Sequence, residues 1–188
     1  MLRKSYPASS DPPALVLDPS SLIPCGRKLE EEKQAIRALG DLLPDLDTTI
    51  YVSCDMLQVY RSKVIPLLHE HHPLPPLQAG LMRVVRWLLS HRKCVSVRAC
   101  GLQRPLKIRF HVLETGRVRR YDVRGLGLED EEDMEVLRVA LATGRDTLLV
   151  TTDRHFLEDL LWPQLRARYP EESNRLKVVR PSELLRRI

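Results

Sequence analysis

Three aspartates, Asp18, Asp133 and Asp153, stand at positions from which they could share a metal ion. Asp18 closes the short apolar run "ALVLD", and Asp153 follows "TLLVTT", so each falls just beyond a segment that reads as a buried strand. In open parallel sheets, ligands bind outside the carboxyl ends of the strands. Asp133 opens the helix that leads into the second of these strands, which can bring it to the same rim. Crowded carboxylates repel one another, and a hard divalent cation that takes oxygen ligands relieves the repulsion. Mg²⁺ or Mn²⁺ suits such donors, and either ion can lower the pKa of bound water and stabilise charge on a phosphoryl group under in-line attack. Taken singly, Asp18 could cap a helix start and Asp153 could form an Asx-turn; convergence of the three favours a metal.

The elements needed to position these residues alternate along the chain. After "ALVLD", the spacing of Ile36, Leu39, Leu42 and Leu43 predicts an amphipathic helix over 29–43, and "TTIYVS" reads as a second strand. Ser53 is placed to cap the next helix, which carries Met56, Leu57, Tyr60, Val64 and Leu67 at helical spacing and Asp55 in its first turn. "LQAGLMRVVRWLL" continues the helical pattern, whereas "CVSVRA", "KIRFHVLE" and "RVRRYDV" read as β segments, the last two joined by an "ETGR" hairpin turn. A helix over "MEVLRVALATG" ends at Gly144, "TLLVTT" follows as a strand, and "LKVVRPSELLRRI" supplies a last strand and helical turn. This alternation predicts a three-layer α/β/α sandwich with a mainly parallel central sheet.

The chain has 188 residues, enough for one domain with a sizeable core. Residues 1–13, rich in Pro and Ser, read as a flexible tail, 14–188 as a single domain, and 91–125 as an insertion carrying a basic hairpin. The four cysteines show no C-x-x-C pair, so reduced thiols in a cytoplasmic protein are expected. No apolar run is long enough to span a membrane. The formal charge of +5 favours an anionic partner such as nucleic acid.

The segments "ALVLDPSSLI", "DEEDMEVLRVALATGRDTLLVTTDRHFL" and "LKVVRPSELL" together resemble the PIN domain, in particular the prokaryotic PIN toxins of toxin–antitoxin pairs. The resemblance matches Asp18 to the aspartate ending the first strand and Ser20 or Ser21 to the polar positions after it. It matches Asp130 and Asp133 to a D-x-x-D stretch, and Val150, Thr151, Thr152 and Asp153 to a V-T-x-D signature. It implies a Mg²⁺- or Mn²⁺-dependent endoribonuclease in which Asp18, Asp133 and Asp153 hold the metal. RNA as substrate, a small antitoxin protein and a homodimer follow as expected partners. Asp130 then serves as the helix N-cap or as support for a ligand, and Thr151 as a supporting residue.

One position departs from the pattern. The family places a glutamate on the helix after the second strand, and here that position is Val59. Asp55 lies one turn earlier, about 5 Å along the axis, which is too far for a short side chain to replace it; Glu132 could contribute from beside Asp133. A degenerate PIN domain that binds RNA or protein without cutting is therefore the rival expectation. Lys107, Arg109, Arg117, Arg119 and Arg120 form the candidate RNA-binding set. Along "KIRFHV", Lys107, Arg109 and His111 should face away from Ile108, Phe110 and Val112. A solvated hairpin or a protein-binding edge would explain that basic face equally well.

Overall fold

The computed structural model describes residues 12–24, 28–69, 74–91, 97–100, 105–157 and 161–188. The expected tail therefore lies almost wholly outside the described residues, as do parts of 91–125. The first half of the chain contains β1 (Ala14–Leu17), α1 (Glu30–Leu42), β2 (Thr49–Val52), α2 (Cys54–Val59), α3 (Ile65–His69) and α4 (Pro76–His91). The second half contains β3 (Val97–Cys100), β4 (Pro105–Val112), α5 (Thr115–Val118), α6 (Glu131–Ala142), β5 (Thr147–Val150), α7 (Arg154–Leu157), α8 (Leu161–Arg168), α9 (Pro170–Arg175), β6 (Leu176–Val179) and α10 (Pro181–Leu185). The six strands form one sheet in the order β3-β4-β2-β1-β5-β6, and all but β3 run parallel. Helices flank this sheet in the expected three-layer arrangement.

The sequence explains the elements locally. β1 and β5 are buried at every residue, as strands covered on both faces must be. Glu30, Glu31 and Glu32 occupy the first turn of α1, where carboxylates oppose the helix dipole, and Ala35, Ile36 and Leu39 turn inward. Ser53 caps α2 by accepting from Met56 N–H, and Asp130 caps α6 by accepting from Glu132 N–H. Gly144 follows α6 with φ +71, the left-handed conformation in which glycine carries no Cβ penalty. Between α2 and α3, Tyr60–Val64 is π-helical. Pro66 lies just beyond; in an α-helix its ring would clash with a carbonyl one turn back, and widening the preceding turn relieves that clash.

The basic segment differs from expectation. β3 and β4 form the antiparallel hairpin, and β4 also pairs with β2, so the hairpin extends the central sheet instead of standing apart from it. "ETGR" is not its turn. Glu114 caps the short α5, its carbonyl accepting from Arg117 and Val118 N–H, and "RVRRYDV" forms no strand. A tight hairpin turn draws on glycine's positive φ, and Gly116 is absent from the glycines that adopt one. The alternation along β4 is as expected: Lys107 and Arg109 are exposed, His111 is half-buried, and Ile108, Phe110 and Val112 are buried. Cys54 is disulfide-bonded, so the expectation of four reduced thiols does not hold.

β1 and β5 are adjacent, yet their onward connections lead to β2 and β6 on opposite sides. Right-handed crossovers then place α1 and the α7–α9 segment on opposite faces of the sheet. Such a switch point opens a crevice beyond the carboxyl ends of β1 and β5. Asp18 and Asp153 flank it.

Candidate metal centre

Asp18 follows β1 directly, and its N–H donates to the carbonyl of Val150 at 3.0 Å, which aligns the ends of β1 and β5. Its side chain is only 3% exposed. Oδ2 accepts from Ser20 N–H at 3.1 Å, from the Ser20 hydroxyl, and from Thr151 Oγ1 at 2.9 Å. Among the described residues no hydrogen bond reaches Oδ1. Each hydroxyl also accepts from the backbone beyond β5: Ser20 Oγ from Thr152 N–H at 3.0 Å, and Thr151 Oγ1 from Asp153 N–H at 2.9 Å. Ser20 and Thr151 therefore hold two acidic loop ends in fixed relation while orienting one oxygen of Asp18.

Asp133 enters from the first turn of α6. Asp153 lies beyond β5, and its Oδ1 accepts from His155 N–H at 2.9 Å, which folds the chain back into α7. That return brings His155 Nδ1 to 3.5 Å from Asp133 Oδ2 and 3.6 Å from Asp153 Oδ1. One ligand atom from each of Asp133, Asp153 and His155 lies within 4.8 Å of the others, a grouping that could hold a metal ion.

The acids interact across the crevice. Burial pushes the Asp18 carboxyl up to about 6; the Ser20 and Thr151 hydrogen bonds oppose that rise, and the Asp133 charge adds to it. Burial and then the Asp153 charge raise Asp133, while His155 pulls it down. A cation would stabilise both ionised carboxylates. Asp133, Asp153 and His155 thus offer two carboxylates and one imidazole that could hold a metal ion, while Asp18 lies outside that trio.

Other expected residues lie outside this grouping. Asp55, Val59, Arg119, Glu132, Glu135 and Arg138 line an open groove of about 530 Å³ beside the centre. Glu132 is paired with Lys63, and Asp130 is the cap of α6, so neither can turn to a metal without giving up a partner. Val59 is half-buried in this groove. Glu135 accepts from the Ser53 hydroxyl at 2.5 Å and pins the start of α2 to α6. The five basic candidates divide. Lys107 and Arg109 share the exposed face of β4, where Arg109 pairs with Asp47 at 2.9 Å. Arg119 faces the groove, Arg120 is exposed, and Arg117 donates to the Thr143 carbonyl at the end of α6.

Two residues at the centre were not expected. His155 lies two positions after Asp153 in "TTDRHF", and only the Asx-type return of the chain makes it a neighbour of Asp133. Tyr60 is fully buried and its hydroxyl donates to the Leu17 carbonyl, the peptide preceding Asp18. Its position in an apolar helical stripe gave no sign of that role. Comparison with known proteins finds no matching family model, no matching curated protein and no matching solved structure. Among the described residues no helix is long and apolar enough to cross a membrane.

Proposed function

We propose that the protein is a metal-dependent endoribonuclease of PIN type. The observation that supports this reading is the clustering of Asp133, Asp153 and His155 at the switch point between β1 and β5, with Asp18 close enough to feel the Asp133 charge. A divalent ion held there would supply Lewis acidity and a water of lowered pKa, the chemistry used to hydrolyse phosphodiesters. Asp133 and Asp153 would be ligands, and Asp18 would offer Oδ1 while Ser20 and Thr151 fix its other oxygen. The exposed Lys107 and Arg109, with Arg119 at the groove, would draw in the RNA backbone. A small antitoxin protein and a second copy of the chain are the partners this reading implies.

Val59 favours a second reading, in which the fold binds RNA but no longer cuts it. Incubation of a mixed single-stranded RNA pool with Mn²⁺, Mg²⁺ or EDTA separates the two. Cleavage that EDTA and Asp153→Asn abolish supports the nuclease. An inactive parent whose Val59→Glu variant cleaves supports the non-cutting reading, and absence of both cleavage and RNA binding refutes both.

A further inference from the structure

We infer that His155 is itself a metal ligand and that it makes the centre prefer a divalent first-row transition ion to Mg²⁺. This inference rests on the metal-centre reading above and goes beyond it by identifying the ligand that sets the choice of ion. Bonds of about 2.1 Å around an octahedral ion put neighbouring donors about 3 Å apart and opposite donors about 4 Å apart. His155 Nδ1 lies 3.5 and 3.6 Å from its two carboxylate oxygens, and the whole trio is contained within 4.8 Å. Only a small closure separates these atoms from a coordination shell.

The ring is free to make that closure. The His155 side chain is 61% exposed, and among the described residues its ring has no polar contact besides Asp133 and Asp153. Near the trio, the buried Asp18 carboxylate feels the Asp133 charge, and every described hydrogen bond to it ends on Oδ2. The trio supplies two carboxylates and one imidazole, where carboxylates alone would have been purely oxygen. Mg²⁺ favours oxygen donors and keeps its waters, whereas transition ions accept imidazole nitrogen readily. Mn²⁺ stands lowest among the first-row ions in general affinity, so a preference for Mn²⁺ over Mg²⁺ is the most stringent test of the nitrogen's effect.

A different role for His155 gives the opposite result. If the imidazole served only as a cation beside Asp133 and Asp153, an incoming ion would compete with it, and removing it would tighten binding.

The experiment is calorimetric titration of the RNA-free protein at pH 7.5 with Mn²⁺ and with Mg²⁺, on the parent, His155→Ala, His155→Asp and Asp153→Asn. The parent should bind Mn²⁺ more tightly than Mg²⁺. His155→Ala should weaken Mn²⁺ by about tenfold or more, because even residues that only orient a ligand commonly cost that much. Its effect on Mg²⁺ should be smaller, and His155→Asp should narrow the gap between the ions by returning the set to oxygen. Mn²⁺ affinity that is unchanged or higher in His155→Ala overturns the inference. If both ions bind the parent and are lost in Asp153→Asn but ignore His155, the inference alone falls. If the parent binds neither ion, the metal-centre reading falls with it.

Discussion

Replacing Asp18 by Asn should make the metal-free protein more stable at neutral pH, although Asp18 sits at the heart of the proposed site. Burial, reinforced by the Asp133 charge, lifts this carboxyl from 3.8 to about 6 despite its hydrogen bonds. A folded pKa above the unfolded one means that the native state binds the proton more tightly. Stability from this group is therefore complete below about pH 4 and is lost as pH rises to about 6. The shift of about two pKa units, at 1.36 kcal/mol each, corresponds to a cost of about 3 kcal/mol at pH 7.5. Asparagine keeps the shape and stays neutral, so the variant avoids this cost. In a domain of this size the gain is roughly 6–12 °C in melting temperature. The assay is thermal and urea unfolding of both proteins in EDTA between pH 4 and 8. The advantage should shrink toward zero as pH falls through the same window, and saturating Mn²⁺ should stabilise the parent more than the variant. An Asn variant no more stable than the parent at pH 7.5, or an advantage that ignores pH, would refute the account of Asp18.

Metal affinity of the parent should fall as pH drops through about 6, because protons compete with the ion for Asp18, and Asp133 is also shifted upward by burial and the Asp153 charge; a flat calorimetric profile from pH 7.5 to 5.5 would exclude Asp18 as a ligand. Tyr60→Phe leaves the buried Leu17 carbonyl without its donor and should cost about 1–3 kcal/mol in urea unfolding, with weaker Mn²⁺ binding because Asp18 is the next residue. An unchanged midpoint and unchanged affinity would show that the bond does not anchor the end of β1. Neutralising Lys107 and Arg109 to Gln should lower the slope of log affinity for single-stranded RNA against log salt by up to about 1.4, at about 0.7 for each phosphate no longer neutralised. The same slope in both proteins would remove the β4 face from the RNA path.

The parts of the fold set by short-range patterning were legible in the sequence. The runs ending at Asp18 and Asp153, the capped helices at Ser53 and Asp130 and the Gly144 stop all lie where local chemistry puts them. The placement of both aspartates on one rim followed from the rule that ligands bind outside the carboxyl ends of parallel strands, whereas the pairing of β1 with β5 is a long-range fact that the local pattern does not carry. What was illegible depended on partners distant in sequence or on how the backbone turns. "ETGR" satisfies the composition of a hairpin turn and of a helix start alike, and only the pairing of β4 with β2 on one edge and β3 on the other decides between them. Arg117 reads as one more charge on an arm until its reach to the Thr143 carbonyl is seen. His155 is an ordinary exposed histidine in sequence; the Asp153 turn makes it a neighbour of Asp133.

The centre balances two opposing tendencies, and Val59 bears on both. Ser20 and Thr151 donate to Asp18 and thereby favour its charged form, whereas burial and Asp133 disfavour it more strongly. A carboxylate at residue 59 would enter a groove already lined by Asp55, Asp122, Glu131, Glu132 and Glu135. Lys63 and Arg138 partner Glu132 and Glu135, but among the described residues no basic side chain pairs with Asp55. Valine spares the metal-free protein that added repulsion, but offers no oxygen donor from the side nearest α2. His155 approaches from α7 and can return a donor without adding negative charge. A carboxylate at residue 59 and the imidazole at residue 155 would then be alternative donors. Val59→Glu in a His155→Ala background should recover divalent-ion binding, with the recovered centre shifted toward Mg²⁺.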